Sequence, residues 1–177
     1  ARNTLETLRQ PIETGHVTVA RANAHVRYPC RFMLVAAANP CKCGHLTDPA
    51  QACSRAPLCG EDYLGRISGP LLDRFDLRLE VPPVSFQDLH IQTNGPSSAD
   101  IRQTVLRARD IQAQRFQQMP NLRSNADAHG EVLENIAQTD GEGRELLTQV
   151  AERFHLSARG YHRVLRVART IADLDGA

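Results

Sequence analysis

The stretch Ile67–Val81, ISGPLLDRFDLRLEV, decides how this chain is read, together with Phe32–Pro40, FMLVAAANP. The second belongs to a near-continuous apolar run, Arg31–Ala38, the pattern of a strand buried on both faces in a parallel sheet. It ends on a polar residue, Asn39. At the C-terminal end of a parallel strand, a side chain faces the crevice where α/β sheets bind ligands. The first stretch reads as the last turns of a helix that deliver Arg74 directly before another strand, Asp76–Val81, stopped by Pro82-Pro83.

Working outward, residues 3–9 (NTLETLR) read as a helix end, closed by Pro11 and Gly15. Val17–Ala20 and His25–Tyr28 alternate as two short strands around Arg21–Ala24, a hairpin with an Asn-containing loop. Residues 40–60 form a loop punctuated by Pro40, Gly44, Asp48-Pro49, Pro57 and Gly60, with four cysteines inside it. Glu61–Asp73 carries Leu64, Ile67, Leu71 and Leu72 on one helical face, and Gly69-Pro70 should break or kink it.

The character changes after about residue 92. Thr93–Ser98 is a polar linker in which Ser97 or Ser98 can cap a long helix. Ile101, Val105, Ala108, Ile111 and Phe116 keep helical spacing until Pro120. Three further helical patterns follow, at about 131–138, 142–154 and 158–173. The expected fold class is therefore α/β over residues 1–92, then an all-α domain over residues 93–177.

Composition sets bounds on function. With 41% hydrophobic and 23% charged residues, the chain is of the ordinary globular class. It has no run of membrane-spanning length and no signal-like segment at its start, so the expected location is cytoplasmic, with no membrane partner. A net charge of +1 gives no global basic field to announce nucleic acid. Lys42 is the only lysine, and no G-x-x-x-x-G-K-[ST] occurs, so the chain cannot itself build a phosphate-cradling loop. The arginine bias suits bidentate phosphate contact, although a GC-rich coding sequence accounts for most of it.

Four segments together, LETLRQPIETGHVTVARA, YPCRFMLVAAANPCKCG, YLGRISGPLLDRFDLRLEVP and LSARGYHRVLRVARTIADL, resemble the ComM/YifB group of Mg-chelatase-like AAA+ ATPases. The resemblance runs over essentially the whole chain. It implies a partial AAA+ core, its second half, followed by a helical lid, in a chain beginning just after the Walker B acidic pair. It also implies an ATP- and Mg²⁺-dependent ring, a homo-hexamer, that moves or unwinds single-stranded or branched DNA in recombination during natural transformation. The segment alone, without Walker A and Walker B, would be inactive. A chelatase-type subunit and a zinc-stapled interaction module are the alternatives.

The same resemblance implies roles for particular residues. Asn39 matches sensor 1, an amide that orients the attacking water against the terminal phosphate; an Asn-Pro turn is the plain alternative. Arg74 matches the arginine finger, placed by Phe75 and oriented by Asp73 or Asp76; the plain alternative is a surface Arg–Asp pair. Arg66 is a second candidate for that interface. Arg159 matches sensor 2. It sits in a first helical turn capped by Ser157, where a cation is unfavourable unless an anion is present. Arg166 and Arg169 read as a solvated face. The hairpin matches a presensor-1 hairpin, whose Arg21, His25 and Arg27 would meet DNA phosphates.

Cys41, Cys43, Cys53 and Cys59 are spaced C-x-C-x₉-C-x₅-C. In a cytosolic chain such a cluster suits a metal better than disulfides, and zinc would staple a loop too polar to pack by itself. The C-x-C gap is tighter than usual, His45 could replace one ligand, and free thiols are the alternative. Cys30 reads as a small core residue.

Overall fold

Residues 2–46, 48, 50–84, 86 and 95–177 are described by a computed structural model, in which the chain forms two compact units, Ala1–Leu77 and Arg78–Ala177. The expected boundary at 92/93 lies outside the described residues.

The first unit opens with two short helices, α1 (Arg2–Glu6) and α2 (Arg9–Thr14). Pro11 does not close a helix as expected. It lies buried in the first turn of α2, where its missing N–H leaves no helical bond unmade. Gly15 is the true stop: it is left-handed at φ 67°, and its N–H donates to the Pro11 carbonyl at 2.9 Å. Its own carbonyl accepts from Cys30 N–H at 2.8 Å, tying this helix end to the end of the hairpin that follows.

That hairpin is β1 (His16–Arg21) and β2 (Ala24–Pro29), antiparallel, with Val17 opposite Tyr28, Thr18 opposite Arg27 and Val19 opposite Val26. It matches the expected strands to within a residue and is the only sheet among the described residues. The expected parallel strands at Arg31–Ala38 and Asp76–Val81 are not formed. Both segments lie outside regular structure, with Met33 at 87% exposure, Leu79 at 84% and Val81 at 88%. A parallel strand needs neighbours on its hydrogen-bonding edges, and no described strand pairs with either.

The helix expected over Glu61–Asp73 is two helices, α3 (Leu58–Leu64) and α4 (Gly69–Leu72). The break falls at residues 65–68, before Gly69-Pro70. Ser68 caps α4 through its side chain, and Pro70 sits in the first turn, so the Ser-Gly-Pro sequence starts a helix here instead of kinking one.

In the second unit α5 (Ser98–Arg115) is capped by Ser97 in a capping box with Asp100. A 3₁₀ turn (Asn125–Asp127) follows, then α6 (Gly130–Ile136), α7 (Gly141–Arg153) and α8 (Ala158–Asp175). These three helices match the expected ranges closely, because Asp140 and Ser157 are strong caps and Gly176 ends α8 at φ 80°. The core is Phe116, Ala128, Leu133 and Leu165, flanked by Leu122, Val132, Ile136, Leu147 and Tyr161. The expected apolar stripe of α5 is buried only in part. Ala108 and Phe116 are inside, whereas Ile101 and Val105 are exposed.

Candidate functional site

Arg74 follows α4 by two residues, and its guanidinium turns back into the first unit. Nη1 donates to the Pro70 carbonyl and Nη2 to Glu13 of α2, leaving the side chain 11% exposed. Glu13, Arg74, Gln10, Thr14 and Val17 line one open cleft of about 500 Å³, which Glu6 and Arg9 share as a second ion pair at 3.0 Å. Phe75 is half-buried. Glu13 is thus a charge partner of Arg74 beyond the expected Asp73 and Asp76, and a contact across 61 residues leaves no local pattern in the sequence.

The hairpin divides its basic residues between two faces. Residues directly opposite in an antiparallel ladder share a face, so His25 and Arg27 project with His16 and Thr18, and Arg21 projects on the other side. Arg27 Nη2 lies 2.9 Å from His16 Nδ1. Apart from Arg21 at its tip, the other face is apolar, through Val17, Val19, Val26 and Tyr28, the last three exposed.

The cysteine loop is the most concentrated group of ligating side chains among the described residues. The sulfurs of Cys41, Cys43 and Cys59 all lie within 4.8 Å of one another, and Cys41 Sγ is 3.0 Å from Cys43 Sγ. Gly44, left-handed at φ 84°, makes this possible. It closes a tight turn in which its N–H donates to the Cys41 carbonyl at 3.2 Å, so two thiols separated by one residue can converge. Cys59 enters from the first turn of α3, and Cys53 lies near enough to act on the thiols of Cys43 and Cys59, with its sulfur outside the converging triplet. His45 is exposed and its imidazole is not among the converging ligand atoms. All five cysteines are free thiols.

The electrostatics of the cluster are uneven. The hydrogen bond from Cys41, then the backbone N–H groups of His45 and Cys53, pull the Cys43 thiol down from 9.0 to about 6. Burial, reinforced by Cys53 and Cys41, pushes the Cys59 thiol up to about 12.

The remaining expected site residues stand apart. Asn39 does not end a strand: it is exposed, outside regular structure, two residues before buried Cys41. Arg66 is exposed, its guanidinium 5.9 Å from the centre of the Tyr63 ring. Arg159 is exposed in the first turn of α8, where Ser157 Oγ accepts from Gly160 N–H at 3.1 Å, and it belongs to the second unit.

Arg169 is not on a solvated face. It binds Asp173 one turn on, through Nη2 at 2.8 Å, and Asp173 is 1% exposed. Arg115 grips the same carboxylate at 2.7 Å, as does Asn125 Nδ2, also at 2.7 Å. Burial alone would raise the Asp173 carboxyl; the donors Arg115, Asn125 and Arg169 outweigh it and hold the group well below the usual carboxylate range. Asn125 has its amide fully used, accepting from Arg115 at 2.9 Å and donating to Thr170 at 3.1 Å. This network locks α5, the 3₁₀ turn and α8 together, and of its contacts only Arg169–Asp173 has the local i,i+4 spacing of a helix-surface pair.

Comparison with known proteins accounts for both halves of the chain. Residues 1–89 match the family model of magnesium chelatase subunit ChlI, and residues 95–177 match that of the ChlI C-terminal region. Competence protein ComM of Haemophilus influenzae is 40% identical over 176 residues, covering 99% of this chain and 33% of the relative. YifB of Escherichia coli is 39% identical over 176 residues, with 98% and 33% coverage. A Mycobacterium tuberculosis protein, Rv2897c, is 40% identical over 172 residues, with 97% and 33% coverage. The chain thus spans about a third of the length of these relatives. It belongs to the magnesium chelatase subunit ChlI family and is of the ComM/YifB type.

Proposed function

We propose that these 177 residues serve a longer Mg-chelatase-like ATPase that hydrolyses ATP as a ring and uses the energy to move along DNA. The observation that carries this reading is the 40% identity, over 99% of the chain, to a protein named for competence. The two family models tile the chain in the same order, 1–89 then 95–177.

ATP, with Mg²⁺, is the substrate in this reading. The chain holds one lysine and no phosphate-binding loop, so its own contribution is to the terminal phosphate and to the contact between subunits. Arg74 supplies a guanidinium to charge that develops on the phosphoryl group in a neighbouring subunit. Asn39 orients the attacking water, and Arg159 contacts the phosphates from a helix start. Exposure of Met33, Val35, Leu77, Leu79 and Val81 supports a larger sheet in the complete protein, in which both apolar segments become strands and Asn39 reaches a strand end. The hairpin meets DNA with His25 and Arg27 on one face and Arg21 on the other.

The test is ATP hydrolysis by the full-length protein with and without forked DNA, together with DNA affinity against salt. A DNA motor shows stimulated turnover and an affinity that falls steeply as salt rises. Turnover indifferent to DNA, with no salt-dependent binding, favours the family's other reading, a chelatase-type subunit.

A further inference from the structure

We propose that Cys41, Cys43, Cys53 and Cys59 form a tetrathiolate Zn²⁺ site that staples the segment after Asn39 to helix α3. This inference stands on the loop alone and does not depend on the ATPase reading.

The geometry fits the ion. Zinc–sulfur arms of about 2.3 Å in a tetrahedron put neighbouring sulfurs about 3.8 Å apart. The Cys41–Cys43 distance of 3.0 Å and the 4.8 Å limit on the triplet bracket that edge. Cys53 is half-buried and near enough to act on the Cys43 and Cys59 thiols, and its sulfur, outside the converged triplet, is the one that moves in to complete the four-sulfur set.

The loop also needs a staple. Among the described residues of 42–58, none is buried; the buried residues here are Cys41 before it and Cys59 and Gly60 after it. Cys43, Leu46, Ala52 and Cys53 are only half-buried, so a metal closing the loop would supply folding energy directly. The backbone is built for the close approach. At Gly60 an added Cβ would lie 2.6 Å from Leu46 Cδ2 and 3.3 Å from the Pro40 carbonyl, so α3 and the residue after Asn39 already touch.

The test uses full-length protein purified without chelator. Metal analysis should give about one zinc per chain, and Co²⁺ exchange should give the intense visible bands of tetrahedral cobalt thiolate. Cys43→Ser and Cys53→Ser should each lose most of the metal, whereas Lys42→Ala retains it. Chelation should open the loop to protease at residues 42–58. Cys43 is only half-buried, so that variant can lose metal without losing the fold, which circular dichroism checks. Metal-free protein whose loop stays protected, cobalt bands of octahedral oxygen ligation, or a Cys41–Cys43 disulfide found by mass would each overturn the site.

Discussion

Arg74 and Glu13, sixty-one residues apart, form an ion pair that seals one wall of the α2–hairpin cleft. The guanidinium is 11% exposed and its partner 41%. A charge so placed is fixed in direction, and it is held by a carboxylate that a more negative group can displace. Glu13→Gln therefore separates the two possible roles of the arginine, because it loosens the pair and leaves the guanidinium present. A half-exposed pair of this kind is worth no more than about 1 kcal/mol of stability.

In the helical unit, the buried Asp173 is the point whose loss costs most. Asp173→Ala leaves Arg115 and Arg169 without their shared partner and removes one of the two bonds that the Asn125 amide donates. Breaking a buried pair from one side costs about 3–5 kcal/mol, seen as a large drop in denaturant midpoint. Arg169→Ala should cost clearly less, since Arg115 and Asn125 still hold the carboxylate. Equal losses for the two variants would contradict the shared-hub account.

The same residue sets an acid limit. The folded carboxyl of Asp173 is held below its ordinary 3.8, so the unfolded chain takes up its proton first as pH falls. The stability it contributes is fully present above that value and drains away below it, toward the lowered folded value. The gap in unfolding free energy between wild type and Asp173→Asn should be constant near neutrality and narrow below about pH 4. A gap unchanged down to the acid transition would mean that folding does not lower the Asp173 carboxyl at all.

Gly60 fixes the approach of the loop to α3. Gly60→Val places methyl groups where Leu46 and the Pro40 carbonyl already stand, an overpacking expected to cost about 1–3 kcal/mol. Limited proteolysis should cut first within residues 42–58. A protease pattern identical to wild type would show that the loop is not seated there.

The 177-residue chain taken alone should bind Mg²⁺–ATP weakly and not hydrolyse it. It lacks the backbone cradle and lysine for the phosphates. Calorimetric titration of the nucleotide into the chain checks this, and a micromolar site with turnover would contradict the division of labour proposed above.

Legibility followed the range of the forces involved. Helices α6, α7 and α8 were readable because caps such as Asp140 and Ser157 and an apolar period act over a few residues. The hairpin was readable for the same reason. The runs at 31–38 and 76–81 have strand composition, but a strand exists only by pairing, and no described partner is present. The cysteine cluster could be suspected from spacing, whereas its convergence depends on Gly44 and on α3 starting at Leu58. Glu13 and the Asn125–Asp173 hub were out of reach, since both join residues dozens of positions apart.

The most direct test of the central claim is ATP turnover by full-length protein carrying Arg74→Ala, beside Glu13→Gln. A guanidinium that acts on transition-state charge in a neighbouring subunit is worth on the order of 10³–10⁵ in rate. Arg74→Ala should therefore lose turnover by orders of magnitude with nucleotide affinity within a few-fold, while Glu13→Gln keeps most of its activity. Arg74→Ala hydrolysing ATP normally, or the two variants falling together, would contradict the account and leave Arg74 as a structural ion pair.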